Sequence, residues 1–384
     1  MRVCHDAGME TGGRAAGGSR GRWIAAGTVA AVALVGLVVI VADRGDDGAT
    51  PDGNASTTTT SSSTTSSSIG GSTTPPTGVR ALGSVRVAGT SGSCPLAECT
   101  DVEVECPGLP PAAATVAVEP AAGTPEGVVV LFSGAEGKTF WANSDQGRQA
   151  KVVSDIADRG LDAVEVAWPD QGWAGAPAGE AIGFAALACR SATIVQWVHD
   201  QRYLPMHLDP STGVCGFCVS GNSGGASEIA YALAFYGLDE IIDAAVLTSG
   251  PPHAGIEQGC LPGAGEGDFA FGRASLPYID SAYGHPDDPG PCAQGDASFA
   301  DLWRADSVDT GGNDYVHPTT RIEFLLGGQD RTSAPAHARL YIDRLAAEGS
   351  PMVHQEEIPE MEHEVLAQTE SREAVLDAIF GGTP

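Results

Sequence analysis

The feature that most constrains this chain is an alternation of short apolar runs with helical patterns from residue 100 onward. The strand candidates are 101–106, 115–119, 128–133, 162–168, 213–220, 244–249, 321–327 and 352–358. The helix candidates are 145–159, 180–201, 225–236, 334–348 and 364–379. Several strand candidates are continuously apolar, which is typical of parallel strands buried on both faces. The order predicts a mostly parallel eight-stranded sheet with helices on both faces and an antiparallel edge formed by its first two strands.

One long segment, about 251–318, interrupts this alternation. It is rich in Gly, Pro and Asp, and it carries scattered aromatic residues and two cysteines. Long insertions in compact domains are usually functional or disordered. The aromatic residues and the cysteines favour an ordered lid.

Residues 23–42 form an uncharged apolar stretch that is long enough to cross a bilayer as one helix. Arg14, Arg20 and Arg22 precede it, so residues 1–22 are predicted to be cytoplasmic and the C-terminal bulk extracytoplasmic. Residues 43–77 are dominated by Ser and Thr from residue 56 onward and predict a flexible linker to a domain at 78–384. A cleaved signal peptide, giving a secreted protein, is the alternative.

The charge excludes one class of partner. The chain carries a formal net charge of −29, and the acidity lies outside residues 1–42, which hold four Arg against two acidic residues. An acidic surface without a basic stripe repels phosphate backbones, so nucleic-acid binding is not expected.

Cysteine usage is consistent with export. Cys4 falls on the predicted inner side, and the other eight are Cys94, Cys99, Cys106, Cys189, Cys215, Cys218, Cys260 and Cys292. An even number in an oxidising compartment allows up to four disulfides, and we predict Cys260–Cys292 because both lie in the Gly/Pro-rich insertion. A redox or metal role for Cys215 and Cys218 is the alternative. Strand positions three apart point to opposite faces, which disfavours a shared metal.

The motif Gly221-Asn222-Ser223-Gly224-Gly225 lies between an apolar strand candidate and a helix candidate. This strand–turn–helix context is that of a nucleophile elbow, in which small residues permit a sharp turn that exposes a serine hydroxyl. It predicts Ser223 as a nucleophile. A glycine-rich turn without chemistry is the alternative.

Two further residues follow later strands at the same expected edge. Asp330 follows an apolar strand after a short glycine turn, and His363 comes between the last strand and the last helix. A serine needs a base to remove its proton, and the base needs an acid to orient it. We therefore predict His363 as the base and Asp330 as the acid, with helix capping as the alternative role for Asp330.

An oxyanion formed on acyl attack needs two backbone donors. The N–H of Gly224 is one candidate, and the loop 133–137 supplies the other, with Ala135 as the first choice. A plain glycine turn without this role is the alternative reading of the loop. The aromatic residues Trp168 and Trp173 bracket a short loop and are predicted to shape the substrate pocket, with ordinary packing as the alternative.

Over about residues 100–380 the chain resembles the α/β-hydrolase superfamily, whose nucleophile, acid and histidine follow one another in the order Ser223, Asp330, His363. The resemblance implies an acyl-enzyme mechanism with no metal or organic cofactor. The chain departs from many relatives at Ser133-Gly134-Ala135, where many esterases have His-Gly, and at Glu362 and Glu364, where many have small residues.

These features together predict an extracytoplasmic serine hydrolase that cleaves a small-molecule or lipid-like carboxylic ester. Acyl transfer to a cell-envelope acceptor would use the same three residues. A peptidase is a weaker alternative, because no propeller-like repeats precede residue 100. A non-catalytic envelope-binding module on a hydrolase scaffold is the remaining hypothesis.

Overall fold

The computed structural model describes residues 78–143, 148–208, 215–263 and 267–381. The predicted anchor at 23–42 and linker at 43–77 lie outside these residues and stay predictions. Among the helices described, none is both long and apolar enough to span a bilayer.

The described residues form one nine-stranded sheet. Its strands are β1 (Ser84–Thr90), β2 (Glu98–Glu105), β3 (Ala112–Glu119), β4 (Gly127–Phe132), β5 (Leu161–Ala167), β6 (Phe217–Asn222), β7 (Ala244–Thr248), β8 (Arg321–Gly327) and β9 (Val353–Ile358). Their order in the sheet is β1-β2-β3-β5-β4-β6-β7-β8-β9. The first three strands pair antiparallel along one side, and all pairs from β5 and β4 to β9 are parallel.

The described helices lie mainly between the parallel strands. They are α1 (Arg148–Asp158), α2 (Phe184–Leu187), α3 (Cys189–Val198), α4 (Gly224–Tyr236), α5 (Ile256–Cys260), α6 (Leu276–Ala282), α7 (Pro291–Gln294), α8 (Ala300–Asp306), α9 (Val308–Gly311), α10 (Ala334–Glu348) and α11 (Thr369–Phe380). The predicted helix 180–201 is divided into α2, α3 and a π-helical turn, His199–Tyr203.

The central strand β4 shows why this sheet is buried on both faces. Val128, Val130 and Phe132 belong to a core with α3, α4 and α10, whereas Val129 and Leu131 belong to a second core with α1 and α11. Alternate residues of a strand point to opposite faces, so a continuously apolar strand joins both cores. The predicted sandwich of helices around a mostly parallel sheet is confirmed.

The prediction of eight strands is wrong by one, because the sequence pattern missed β1. This strand pairs with β2 at the edge of the sheet, and its residues are mostly exposed; Val87 is 56% exposed. An edge strand with little core contact is held by main-chain hydrogen bonds to its neighbour. It therefore lacks the apolar run that identifies a buried strand.

The eight cysteines among the described residues form four disulfides: Cys94–Cys99, Cys106–Cys189, Cys215–Cys218 and Cys260–Cys292. The last is the pair predicted from the sequence. Cys215 precedes β6 and Cys218 lies within it, so the strand alternation used to separate their side chains does not apply to this pair. The insertion 251–318 is helical over α5–α9, and its action as a lid stays a prediction.

A buried carboxyl group on β5 makes stability depend on pH. Glu165 is 1% exposed, and both its carboxylate oxygens accept from the Ala142 N–H at 3.1 and 3.2 Å. Burial raises the pKa of Glu165 to about 8, although backbone hydrogen bonds from Ala142 and Trp141 oppose the shift. In the unfolded chain a Glu has a pKa of about 4.3. Between these pH values the folded state holds a proton that the unfolded state has released.

We therefore expect Glu165 to lower the free energy of unfolding as the pH rises from 5 to 7, by about 1.4 kcal/mol per pH unit. Glu165→Gln cannot titrate, so its stability relative to the wild type should increase over that range. Urea unfolding at pH 5, 6 and 7 measures this difference. The exposed Glu370→Gln is the control, and a difference for Glu165→Gln that does not change with pH would contradict the prediction.

Candidate active site

The elbow at Ser223 joins the end of β6 to the start of α4. Ser223 has a φ of 53° and a ψ of −113°, a conformation rare for a residue with a side chain. Its N–H donates to the Thr248 carbonyl oxygen of β7 at 2.8 Å, which holds the turn against the sheet. A Cβ at Gly225 would overlap the Phe132 carbonyl oxygen, so α4 reaches this position only because residue 225 is glycine.

Ser223, His363 and Asp330 form a continuous hydrogen-bonded chain. The distance from Ser223 Oγ to His363 Nε2 is 2.9 Å, and that from His363 Nδ1 to Asp330 Oδ2 is 2.8 Å. The Asp330 side chain is 0% exposed, whereas the His363 side chain is 27% exposed. The tertiary structure thus brings together three residues that are spread over 140 positions of the chain, in the arrangement of a nucleophile, a base and an orienting acid.

Thr332 is a supporting residue that sequence reasoning missed. Its N–H and its hydroxyl donate to Asp330 Oδ1 at 2.8 and 2.7 Å. Burial by itself would raise the pKa of Asp330, but the hydrogen bonds and charge of His363, together with the hydrogen bonds of Thr332, lower that pKa overall. Asp330 is therefore ionised at neutral pH. An Asp side chain that accepts from the residue two positions later is a common turn pattern. The sequence Asp330-Arg331-Thr332 was therefore the signal from which this contact could have been predicted.

The two predicted oxyanion donors lie beside one another at Ser223. Gly224 is the first residue of α4, so its N–H has no acceptor within the helix. Ala135 has a φ of 52°, and its nitrogen lies 2.8 Å from where a Cβ on Gly224 would be. Both residues line the same cavity as Ser223 and His363. The placement fits an oxyanion hole made of two backbone N–H groups.

Gly224 leaves room for this loop, which gives a prediction. A Cβ at residue 224 would overlap the Ala135 carbonyl oxygen, so Gly224→Ala must displace the 133–137 loop. We expect kcat for an ester to fall by about 10²–10³ with a smaller change in KM, the loss seen when one oxyanion donor is removed.

Steady-state kinetics and thermal unfolding of the same preparation test this prediction. Gly123→Ala is the matched control, because a Cβ there meets nothing within 4 Å. An unchanged kcat in folded Gly224→Ala would rule out the assigned oxyanion hole.

A cavity of about 490 Å³ opens over the three residues. The insertion 251–318 supplies much of its wall through Pro252, His253, Phe271, Pro277 and Tyr278. On the other side lie Trp141 and Thr139, and Glu136 and Glu364 add two carboxylates. The sequence predicted an ordered lid in this insertion, but it did not single out these wall residues.

The prediction that Trp168 and Trp173 contact the substrate needs correction. Both indoles are buried, at 1% and 0% exposure, and neither lines the cavity. Trp168 Nε1 donates to the buried Glu228 at 2.9 Å, and Trp173 packs edge-on against Tyr278. The aromatic loop therefore supports the cavity wall from beneath, because the chain after β5 folds back under the insertion.

The strand order, the parallel strands β4–β9 and the strained turn at Ser223 define the α/β-hydrolase fold. The sequence matches no family model and no curated protein.

Three solved structures illustrate the similarity of fold. The puromycin-hydrolyzing peptidase of Mycobacterium tuberculosis is 13% identical with a TM-score of 0.47, over 75% of this chain and 39% of that one. The Pyrobaculum calidifontis esterase is 17% identical with a TM-score of 0.45, over 74% and 85%. A carboxyl esterase of Bacillus coagulans is 13% identical with a TM-score of 0.46, over 73% and 96%. The chain therefore spans about two fifths of the peptidase.

Proposed function

We propose that this protein is an extracytoplasmic serine hydrolase that cleaves carboxylic esters through an acyl-enzyme. The observation that carries the proposal is the chain of hydrogen bonds from Ser223 through His363 to Asp330. The extracytoplasmic location is supported by the anchor-like stretch at 23–42 and by four disulfides, which persist in oxidising compartments.

The first half of the reaction makes the acyl-enzyme. His363 Nε2 takes the Ser223 proton as Oγ attacks the ester carbonyl, and the negative charge passes to the carbonyl oxygen beside the Gly224 and Ala135 N–H groups. Ionised Asp330 stabilises the imidazolium that forms. His363 then gives its proton to the departing alcohol as the carbon–oxygen bond breaks.

The second half returns Ser223. Water loses a proton to His363 Nε2, attacks the acyl carbonyl and releases the acid, and the imidazolium reprotonates Ser223 Oγ. The partial exposure of His363, 27% of its side chain, places the base within reach of solvent. Water can therefore reach the base and act as the acceptor, as hydrolysis requires.

The cavity suggests the chemistry of the substrate. Its wall contains the aromatic rings of Trp141, Phe271 and Tyr278, and Glu136 and Glu364 add negative charge. An anionic substrate would be repelled by these carboxylates and by the acidic surface, whereas an uncharged ester would not. A volume of about 490 Å³ suits a small-molecule ester or part of a lipid-like one.

A fluorophosphonate probe tests the nucleophile. The full-length chain, purified in mild detergent, is treated with the probe beside Ser223→Ala and the exposed Ser154→Ala, and the adducts are located by mass spectrometry. We expect one adduct, on Ser223, in the wild type and in Ser154→Ala. Folded protein without an adduct would contradict the assigned nucleophile and favour the non-catalytic binding module.

Substrate turnover then separates the remaining alternatives. Neutral nitrophenyl esters of increasing chain length are compared with an ester that carries an acyl carboxylate, with and without a large excess of glycerol. We expect the free acid as the product and a lower kcat/KM for the anionic ester. Formation of the glycerol ester in preference to the acid would support the acyltransferase alternative.

A further inference from the structure

A second cluster of functional groups lies away from the cavity. Asp239 belongs to the short 3-10 helix Leu238–Glu240 that follows α4, and Asp314 and His317 belong to the segment that returns the insertion to β8. One potential ligand atom from each of the three side chains lies within 4.8 Å of the other two. They share no residue with the cavity described above.

His317 is the observation that points to a ligand. Its side chain is 0% exposed, and among the described residues neither of its ring nitrogens has a hydrogen-bond partner. Buried imidazole nitrogens almost always have hydrogen-bond partners, so a buried ring with none needs an explanation. The hydroxyl of Tyr341 is also buried without a partner in the described part of the chain. Burial raises the pKa of Tyr341, and the charges of Tyr315, Asp314 and Asp239 raise it further.

The separation of His317 from Asp239 suits two ligands of one shared ion. His317 Nδ1 lies 3.6 Å from Asp239 Oδ2, which is longer than a hydrogen bond between an imidazole and a carboxylate. Two ligands on a tetrahedral ion, each about 2.0–2.2 Å from it, stand roughly 3.3–3.6 Å apart. Without an ion, the buried imidazole faces Asp239 across a gap longer than a hydrogen bond, and neither ring nitrogen has a partner among the described residues.

The backbone around the cluster is held in place by other groups. The His317 N–H donates to Ser350 Oγ at 2.9 Å, and that hydroxyl donates to the Tyr315 carbonyl oxygen at 2.8 Å. Thr320 Oγ1 donates to the Asp239 carbonyl oxygen at 2.9 Å. These bonds leave the side chains of Asp239 and His317 free to serve a ligand, and they limit the movement needed to receive one.

We propose that Asp239, Asp314 and His317 bind one zinc ion. Calcium and magnesium prefer six or more oxygen ligands, whereas an imidazole with two carboxylates is a donor set that zinc accepts, with a water molecule in the fourth position. The ion ties the end of the insertion to the turn after α4.

The zinc site acts on structure and takes no part in the chemistry. His317 precedes the start of β8, and Asp330 follows its end, so the strand separates the site from the three active-site residues. The site stands independently of the proposed ester hydrolysis. We expect zinc to raise the Tm and to leave kcat at 25 °C unchanged within about twofold.

The test uses the full-length chain in detergent, stripped with a chelator and then titrated with zinc against a fluorescent zinc-binding competitor. Metal content after dialysis is measured by mass spectrometry, and thermal unfolding is followed with zinc, with calcium and without metal. We expect one zinc per chain and a Tm that rises with zinc and not with calcium.

Variants assign the site. Asp314→Asn changes the most exposed of the three ligands, and His317→Gln removes the imidazole; each should weaken zinc binding at least tenfold. Two control variants should bind zinc as the wild type does. Asp343→Asn changes an exposed carboxylate near Tyr341 in sequence, and His363→Ala removes the partly exposed imidazole of the active site. If His317→Gln does not fold, Asp314→Asn decides. Undiminished zinc binding by folded Asp314→Asn, binding lost in His363→Ala, or stabilisation by calcium alone would overturn the proposal.

Discussion

Ser223→Ala should lower kcat for a neutral ester by about 10⁴-fold or more, with little change in KM. The hydroxyl that attacks the carbonyl is removed, so His363 has no proton to take at the reacting centre. In serine hydrolases of known mechanism, loss of the nucleophile costs up to about 10⁶ in kcat, and a residual rate remains from the oxyanion hole and binding. The measurement is kcat and KM on an ester that the wild type turns over.

Two controls make this result specific. The Tm of Ser223→Ala should lie within a few degrees of the wild type, because the substitution removes one atom from a residue that lines an open cavity. Ser154→Ala makes the same chemical change on an exposed face of α1 and should keep full activity. If Ser223→Ala retained more than a tenth of kcat, another residue would be the nucleophile.

Asp330→Asn should lower kcat by about 10³–10⁴-fold while the protein stays folded. Asp330 Oδ2 accepts from His363 Nδ1 and Oδ1 accepts from Thr332, so both oxygens face donors. The Thr332 N–H can only donate, so an Asn amide would keep its oxygen toward Thr332 and turn its NH₂ toward His363 Nδ1. It would thereby favour the tautomer of His363 whose Nε2 carries a proton and cannot act as a base.

The pH dependence separates this role from a purely structural one. The pKa of Asp330 is lowered by His363 and Thr332 against the effect of burial, so its stabilising contribution is present at neutral pH and is lost only as the pH falls through that lowered pKa. The kinetic defect of Asp330→Asn should therefore persist from pH 6 to 9, where Asp330 is ionised. The exposed Asp287→Asn is the control. A defect in KM or Tm alone would show that Asp330 only supports the fold.

The identity and order of the candidate catalytic residues could be predicted from local sequence. Ser223, Asp330 and His363 each come shortly after a strand, and the carboxyl ends of parallel strands meet at one edge of the sheet. Glycines around Ser223 and before Asp330 indicate tight turns. These turns can be recognised from the sequence without knowing which segments pack against them. The strand pattern thus sufficed to place three distant residues at one edge.

Features that lack a local apolar signal, or that depend on contacts between distant segments, could not be predicted in this way. The strand β1 has no buried face of its own, so its pairing with β2 left no apolar run. Trp168 and Trp173 are residue types that often line a pocket. Only the packing of the chain after β5 beneath the insertion shows that they lie under the cavity wall. Tyr278 and Phe271 line the cavity because of the path that the insertion takes. The sequence of the insertion has no hydrophobic periodicity from which that path could be predicted.

The sequence by itself determined the mostly parallel sheet, the turn that exposes Ser223 and the order of the three residues, because hydrophobic periodicity and glycine turns act over a few neighbouring residues. Only the tertiary structure decided the distances that link Ser223, His363 and Asp330 and the meeting of Asp239 with Asp314 and His317. Those contacts join segments tens to more than a hundred residues apart. Their formation depends on how whole elements pack, which no local pattern records.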